Sequence, residues 1–132
     1  MHIRSIWPDH RRRMYNSNLI ANIIEKYEEG LTDCQAALDA EILPDSSSVL
    51  MLKNTLEAVS SACSGYVRHM TNAPPLGNTK LDKERQKLCV FEIEQIASMS
   101  KSLRALITKH SIKERLRTAY DYLEKLKLLC ED

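Results

Sequence analysis

Apolar residues recur along this chain at alternating intervals of three and four residues, in four separate stretches. Because an α-helix turns once every 3.6 residues, this spacing places the apolar side chains of each stretch on one helical face. Four such faces predict four helices that each bury one seam against the others. The seam positions are Ile20, Ile24, Tyr27, Leu31, Cys34 and Leu38 in the first stretch; Val49, Leu52, Leu56, Val59, Cys63, Tyr66 and Met70 in the second; Cys89, Ile93, Ile96, Ser100, Leu103 and Ile107 in the third; and Ile112, Leu116, Ala119, Leu123, Leu126 and Cys130 in the fourth.

Turn-forming residues separate the first three stretches. Pro44 ends the first predicted helix near Ile42, and the serines at 46–48 offer N-caps for the second. So short a connection predicts that these two helices lie antiparallel, as a hairpin. A longer turn-rich stretch at 71–78 contains two adjacent prolines and predicts a loop. Gly30 lies within the first stretch and leaves a bend or a break open as alternatives to an uninterrupted helix.

The boundary between the third and fourth stretches is predicted to be a tight corner. Ser111 and Glu114 have the spacing of a capping box, in which both side chains bond to free amides at a helix start. The interval between seam residues also lengthens to five from Ile107 to Ile112. We therefore predict an all-α fold, an antiparallel helical bundle of four helices. The alternative is three long helices, the last kinked near His110-Ser111.

Composition is consistent with one folded domain, since 43% of the 132 residues are hydrophobic and 28% are charged. A proline at position 8 and an arginine run at 11–13 disfavour a packed element near the start. We interpret residues 1–15 as a flexible basic N-terminal arm and residues 16–132 as a single helical-bundle domain. Neither a membrane span nor a secretory signal is expected. The predicted location is cytoplasmic or nuclear, with mitochondria less favoured.

Charge is segregated although the formal net charge is only +1. Between residues 25 and 45, seven acids stand against one base, a net charge of −6. Between residues 101 and 117, six bases stand against one acid, a net charge of +5. In an up-down-up-down bundle the first and fourth helices are neighbours. The two segments therefore either pair with each other or present their charge to an external partner.

Signatures of catalysis and of cofactor binding are lacking in the sequence. Three glycines cannot build a phosphate-binding loop, and no Glu-x-x-His pair exists for a helical di-iron site. One cysteine falls in each predicted helix, which is typical of buried thiols; a disulfide, metal ligation or a cysteine-histidine nucleophile are the alternatives. We expect no enzyme activity, no cofactor and no metal. The cysteines are Cys34, Cys63, Cys89 and Cys130.

Apolar residues outside the seams predict a surface for a partner, because contiguous exposed apolar patches commonly mark interaction sites. Some of them are expected to widen the core-facing stripes instead, since such helices use about three positions in seven. The function that we predict is a non-enzymatic protein-protein interaction module, an adaptor or a small subunit of a larger intracellular assembly. The expected partner is another protein with an acidic surface, and a homo-oligomer is also open. The apolar candidates for this surface are Ile23, Met51, Phe91, Met99, Leu106, Leu128 and Leu129.

Clustered bases are the charged candidates for partner binding. The alternative function is a nucleic-acid-binding accessory subunit that uses the Arg11-Arg13 arm and the Lys101-Arg117 basic segment. The candidate partner-binding residues are Arg11, Arg12, Arg13, Lys101, Arg104, Lys109, Lys113, Arg115 and Arg117.

Overall fold

The structure, a computed structural model, describes residues 19–72 and 80–128. All regular elements in these two ranges are α-helices, and four of them pack against one another. The all-α class that the sequence predicts is therefore confirmed. The predicted arm at 1–15, with its arginines, lies outside the described residues. The helices are α1 (Leu19–Asp39), α2 (Ser46–Asn72), α3 (Lys80–Leu106) and α4 (Ile112–Leu128).

The seam residues predicted from spacing form the core. All seam positions with a described side chain are buried, apart from Leu38 and Tyr66, which are half-buried against the core. Ile23, one of the apolar residues outside the seams, is only 7% exposed and therefore belongs to the core and not to a partner surface. Ile23 lies two turns before Gly30 on the side of α1 that faces α2, so the apolar stripe of α1 is wider than the seam alone.

Helix α1 continues through Gly30 without a break, and α2 approaches it closely at this residue. A Cβ atom added to Gly30 would lie 3.0 Å from Cδ2 and 3.2 Å from Cγ of Leu52, a fully buried side chain. Real Cβ atoms rarely make contacts that short. The glycine therefore lets two helix backbones approach, and its helix-propensity cost of about 1 kcal/mol is offset by this packing.

Helix α1 ends at Asp39, three residues earlier than the predicted end near Ile42. Glu41 adopts a φ of 57°, the left-handed conformation that usually belongs to glycine or asparagine at a helix end. The Ile42 amide then donates to the Ala37 carbonyl at 3.0 Å, and the Glu41 amide donates to the Leu38 carbonyl at 3.0 Å. These two bonds form a Schellman motif, which spacing did not predict because its left-handed residue is a glutamate.

The corner between α3 and α4 separates two distinct helices, so the alternative of one long kinked helix is wrong. The Ser111 hydroxyl donates to the Leu106 carbonyl at 2.7 Å and accepts from the Thr108 amide at 2.9 Å. The Ser111 amide in turn donates to the Thr108 hydroxyl at 3.1 Å. Ser111 thus exchanges side-chain bonds with Thr108, where the sequence predicted Glu114 as its capping partner.

Three buried hydroxyls join helices through backbone carbonyls. The Tyr27 hydroxyl donates to the Ala119 carbonyl at 2.7 Å, linking α1 to α4. The Tyr122 hydroxyl donates to the Ile96 carbonyl at 2.9 Å, linking α4 to α3. Ser100 of α3 donates to the carbonyl of Leu56 in α2 at 2.6 Å. The rings of Tyr27 and Tyr122 also meet edge to face, with centroids 6.2 Å apart.

Packing among the four helices is uneven. Helix α2 packs extensively against both α1 and α3, and α4 rests mainly on α1. Contact between α3 and α4 is light and includes the bond from Tyr122 to Ile96. One flank of α3 is therefore left without a neighbouring helix among the described residues.

Candidate functional site

The six candidate bases within the described residues lie at the C-terminal part of α3, at the corner and in the first half of α4. Five are exposed, and Lys109 is half-buried. The three arginines at 11–13 lie outside the described residues. The exposed bases are Lys101, Arg104, Lys113, Arg115 and Arg117.

These bases do not share one face of the molecule. Successive residues of a helix are 100° apart, so Lys113 and Arg117 lie one turn apart on one side of α4. Arg115 lies two turns before Tyr122 on the side whose tyrosine reaches α3. Arg104 points toward α2, where its Nε lies 3.4 Å from a carboxylate oxygen of Glu57. The basic segment is continuous in sequence and divided in space.

The acidic segment of α1 makes one ion pair with α4. Lys127 Nζ lies 3.5 Å from Glu28 Oε1 and 3.8 Å from Glu124 Oε1. Among the residues that the structure describes, no base between 101 and 117 lies within 4.0 Å of an α1 carboxylate. The described ion pair between α1 and α4 therefore involves Lys127, near the C-terminus of α4, and no base of the basic segment at 101–117.

An apolar stripe on α3 is the surface feature that the sequence analysis identified only in part. Leu88 is 43% exposed, Phe91 59%, Met99 37% and Leu106 45%. Intervals of three, eight and seven residues bring these four side chains onto one side of the helix. We call them the α3 apolar stripe. Phe91, Met99 and Leu106 were among the predicted surface residues; Leu88 was missed because it directly precedes a seam position.

The core side of α3 lies about 120° around the helix from the stripe. Ile93, Ser100 and Ile107 are almost fully buried there, and Ile96 and Leu103 complete the seam. Helix α3 is thus apolar on two sides, although one such side is enough to attach a helix to a core. Met51, another predicted surface residue, is half-buried, and Leu128 is 38% exposed at the end of α4.

Lysine and arginine side chains border the α3 apolar stripe. Lys83, Lys87 and Lys101 lie on α3, about 140–180° around the helix from the core residue Ile96, and all are exposed. Arg115 and Lys125 are exposed and lie within about 60° of Tyr122, the residue that reaches α3, around the α4 axis. We call these five residues the basic rim. Three exposed or half-buried acids also lie near the stripe, namely Glu84, Glu92 and Glu94.

The cysteines with described side chains have environments that suppress reactivity. Cys34 and Cys63 are free thiols with no exposed surface. Burial raises the pKa of Cys63 to about 12. Burial and, to a smaller extent, the neighbouring Asp33 carboxylate raise the pKa of Cys34. Because the thiolate is the nucleophile and the metal ligand, both cysteines are poorly suited to either role.

No protein-family model matches the sequence, and no solved structure matches it at a significant level. Within the described ranges, no group of three or more histidine, cysteine or acidic residues is arranged to hold a metal ion. Nor does any described helix have the length and apolar content needed to cross a membrane.

Proposed function

We propose that this chain is a protein-protein interaction module built on an antiparallel four-helix bundle, and that it has no enzyme activity of its own. The observation that carries the proposal is the α3 apolar stripe. Four large apolar side chains lie exposed on one side of a helix whose other side is already buried. Exposed apolar side chains aligned in this way are typical of a surface that another protein covers.

The antiparallel arrangement is supported by contacts between the helices. Leu31 accepts a bond from the Tyr120 hydroxyl at 3.4 Å, and Glu28, one turn earlier, contacts Lys127. These two contacts favour an arrangement in which residue numbers fall along α4 as they rise along α1. Helices α1 and α2 are joined by only six residues, 40–45, which favours antiparallel neighbours. Such a bundle would hold α3 as a rigid platform for the stripe.

An interaction module is favoured over an enzyme because three buried hydroxyls have structural hydrogen-bond partners. Tyr27, Ser100 and Tyr122 each donate to a backbone carbonyl. The raised pKa of Cys63 keeps that thiol protonated at neutral pH. His110, the histidine with a described side chain, is exposed near the corner, away from these thiols in sequence. A catalytic site needs a nucleophile, a base and an orienting group in contact.

A protein partner is favoured over nucleic acid because of the stripe itself. Contacts to phosphate groups need clustered bases, and the bases between 101 and 117 are divided between different sides of the molecule. Phosphate contacts would also leave the α3 apolar side chains exposed. The nucleic-acid alternative makes a separate prediction, which is an affinity that falls steeply as salt is raised.

The proposed function is tested with a tagged full chain in native cell extract. The stripe variant is the double substitution Phe91→Ala and Met99→Ala, and the matched control is Ile42→Ala and Leu50→Ala, which removes exposed side chains elsewhere. We expect quantitative mass spectrometry to find a protein that the wild type and the control retain and the stripe variant loses by about tenfold or more. Identical protein sets for all three chains would contradict the proposal, as would recovery of nucleic acid alone.

A further inference from the structure

We infer that the α3 apolar stripe and the basic rim together form a docking site for one amphipathic helix with acidic flanks. This inference rests on the proposed function and specifies the chemistry of the partner. Three properties of the described residues carry it: the spacing of the stripe, the small residues beside it and the sign of the charges that border it.

The spacing of the stripe fits a helix. Leu88 and Leu106 are separated by 18 residues, a rise of about 27 Å at 1.5 Å per residue. The stripe residues lie one or two turns apart along one line of α3, and a second helix that lies along this length presents its own apolar side chains every three or four residues, which can pack between them. The occupant therefore needs about 18 residues, or five turns, to contact the stripe from end to end.

Small residues make room for that helix. Ser98, Ser102 and Ala105 are exposed on α3 between or beside the stripe residues. Helix axes approach to about 8–10 Å, and the closer distances need small side chains at the contact. Large stripe residues can then insert between those of the partner, as ridges insert into grooves. The light contact between α3 and α4 leaves this flank of α3 open.

Charge determines what kind of helix fits. Lys87 and Lys101 border the stripe on one side, and Arg115 and Lys125 lie on the side of α4 that carries Tyr122. No described partner within 4.0 Å neutralises these four bases. With Lys83, they outnumber the three acids near the stripe, which are Glu84, Glu92 and Glu94. Acidic residues on both flanks of an incoming helix would complement the bases, and basic flanks would be repelled.

The same charges disfavour a second copy of this chain as the occupant. If the stripes of two copies faced each other about a two-fold axis, bases would lie against bases: the lysine border of one copy meets that of the other when the two α3 helices are antiparallel, and meets Arg115 and Lys125 when they are parallel. Glu94 is the exposed acid on the lysine border, and it stands against Lys83, Lys87 and Lys101. Like charges across an interface oppose assembly, so we expect the chain alone to be monomeric in sedimentation experiments.

Two synthetic peptides of about 18 residues test the inference directly against the full chain. Both carry the same leucine and alanine apolar face; one has glutamate at every flanking position, and the other has lysine. Binding is measured by the fluorescence anisotropy of labelled peptide. We expect the glutamate peptide to bind, the lysine peptide to bind at least about tenfold more weakly, and the glutamate affinity to fall between about 50 and 300 mM salt.

Variants locate the binding site. Phe91→Ala should weaken glutamate-peptide binding by about tenfold, because a large aromatic side chain at the contact is lost. Reversal of the rim by Lys101→Glu with Arg115→Glu should weaken binding to a similar extent. The matched control, Lys113→Glu with Arg117→Glu, makes the same change in net charge on another side of α4 and should leave the affinity within about twofold. Because all five side chains are exposed, thermal melts should stay close to wild type.

Each contrary result has a defined meaning. Absence of binding by the glutamate peptide at millimolar concentration, or equal binding of both peptides, overturns the inference. Equal losses in the rim variant and its control overturn the location. If the chain forms a dimer and Phe91→Ala dissociates it, the occupant of the stripe is a second copy of the chain and not an acidic helix. The extract experiment is independent of these peptide results. A protein that the wild type retains and the stripe variant loses would still support the proposed function if the acidic-helix inference failed, so the two failures are distinguishable.

Discussion

The contact between α1 and α2 and the contact between α3 and α4 solve the same packing problem in different ways. At the first, Gly30 lets the α2 backbone approach until Leu52 fills the space. At the second, the long side chain of Tyr122 reaches α3, while Phe91 and Met99 stay exposed on the free flank. We call these the closed side and the open side of the molecule.

The difference shows that the spacing of apolar residues along a helix is not enough to bury them. A neighbouring helix must also lie at the right distance. On the closed side the absence of one side chain allows close approach, and burial is nearly complete. On the open side two helices of similar apolar character touch lightly. Apolar area that a fold leaves exposed lowers stability and solubility unless another molecule covers it. We therefore propose the open side as the surface that binds a partner.

The largest expected effect compares the two sides of α3. Leu103 is 4% exposed and Leu106 is 45% exposed, three residues further along the same helix. Leu103→Ala should lower the free energy of unfolding by about 2–5 kcal/mol, because it leaves a cavity in the core. Leu106→Ala should change it by less than about 0.5 kcal/mol. Urea unfolding of both variants measures the contrast, and equal losses would mean that the stripe is buried.

Alkaline pH should destabilise the closed side through its thiols. Burial raises the pKa of Cys34 and Cys63 above the ordinary value of 9.0, so the unfolded chain releases these protons first. Stability is then constant below about pH 9 and falls above it, by up to about 1.4 kcal/mol per pH unit for each thiol. The fall for Cys63 continues toward pH 12, the value to which burial raises its pKa.

A titration of unfolding free energy between pH 8 and pH 10.5 measures this fall, and Cys63→Ala should reduce its slope. A variant slope equal to that of the wild type would indicate that the thiol is accessible to solvent. Tyr27 and Tyr122 act in the same direction at higher pH, because burial raises the pKa of both phenols.

Two glycine substitutions test whether close approach defines the closed side. Gly30→Ala should destabilise the protein by about 1 kcal/mol or more, because its methyl group meets the buried Leu52 side chain. Gly65→Ala should stabilise it by up to about 1 kcal/mol, since its Cβ meets only the end of Arg68, 4.0 Å away, and alanine favours helix. Thermal denaturation of the pair is decisive. Stabilisation by both substitutions would show that α1 and α2 accommodate a methyl group at position 30 without loss of stability, so close approach would not define this side.

The smallest expected effect concerns the bond that crosses the open side. Tyr122→Phe removes the hydroxyl that donates to the Ile96 carbonyl and keeps the buried ring. Loss of one such bond should cost about 0.5–1.5 kcal/mol. Tyr27→Phe removes the corresponding bond between α1 and α4 and serves as the comparison. A loss for Tyr27→Phe with none for Tyr122→Phe would mean that α4 is held by α1 alone.

Sequence spacing alone was sufficient for the helices and for most of the core. A period near 3.6 residues reports the angle of each side chain around its own axis, and that angle is a local property. Leu31, Leu56 and Ile93 were therefore assigned correctly without knowledge of any neighbour. The short connection at Pro44 also predicted where α1 gives way to α2. The end of α1 was misplaced because Glu41 adopts a left-handed conformation that its residue type does not favour.

The tertiary structure decided which helix faces which, and the candidate surface depends on that. Arg115 and Arg117 belong to one basic segment of the sequence, but residues two apart on a helix point to nearly opposite sides. Lys127, and no base of the expected segment, makes the described ion pair with α1. Whether an apolar residue such as Phe91 lies in the core or on the surface depends on the distance to the neighbouring helix. That distance results from contacts between residues far apart in the chain, which local spacing does not encode.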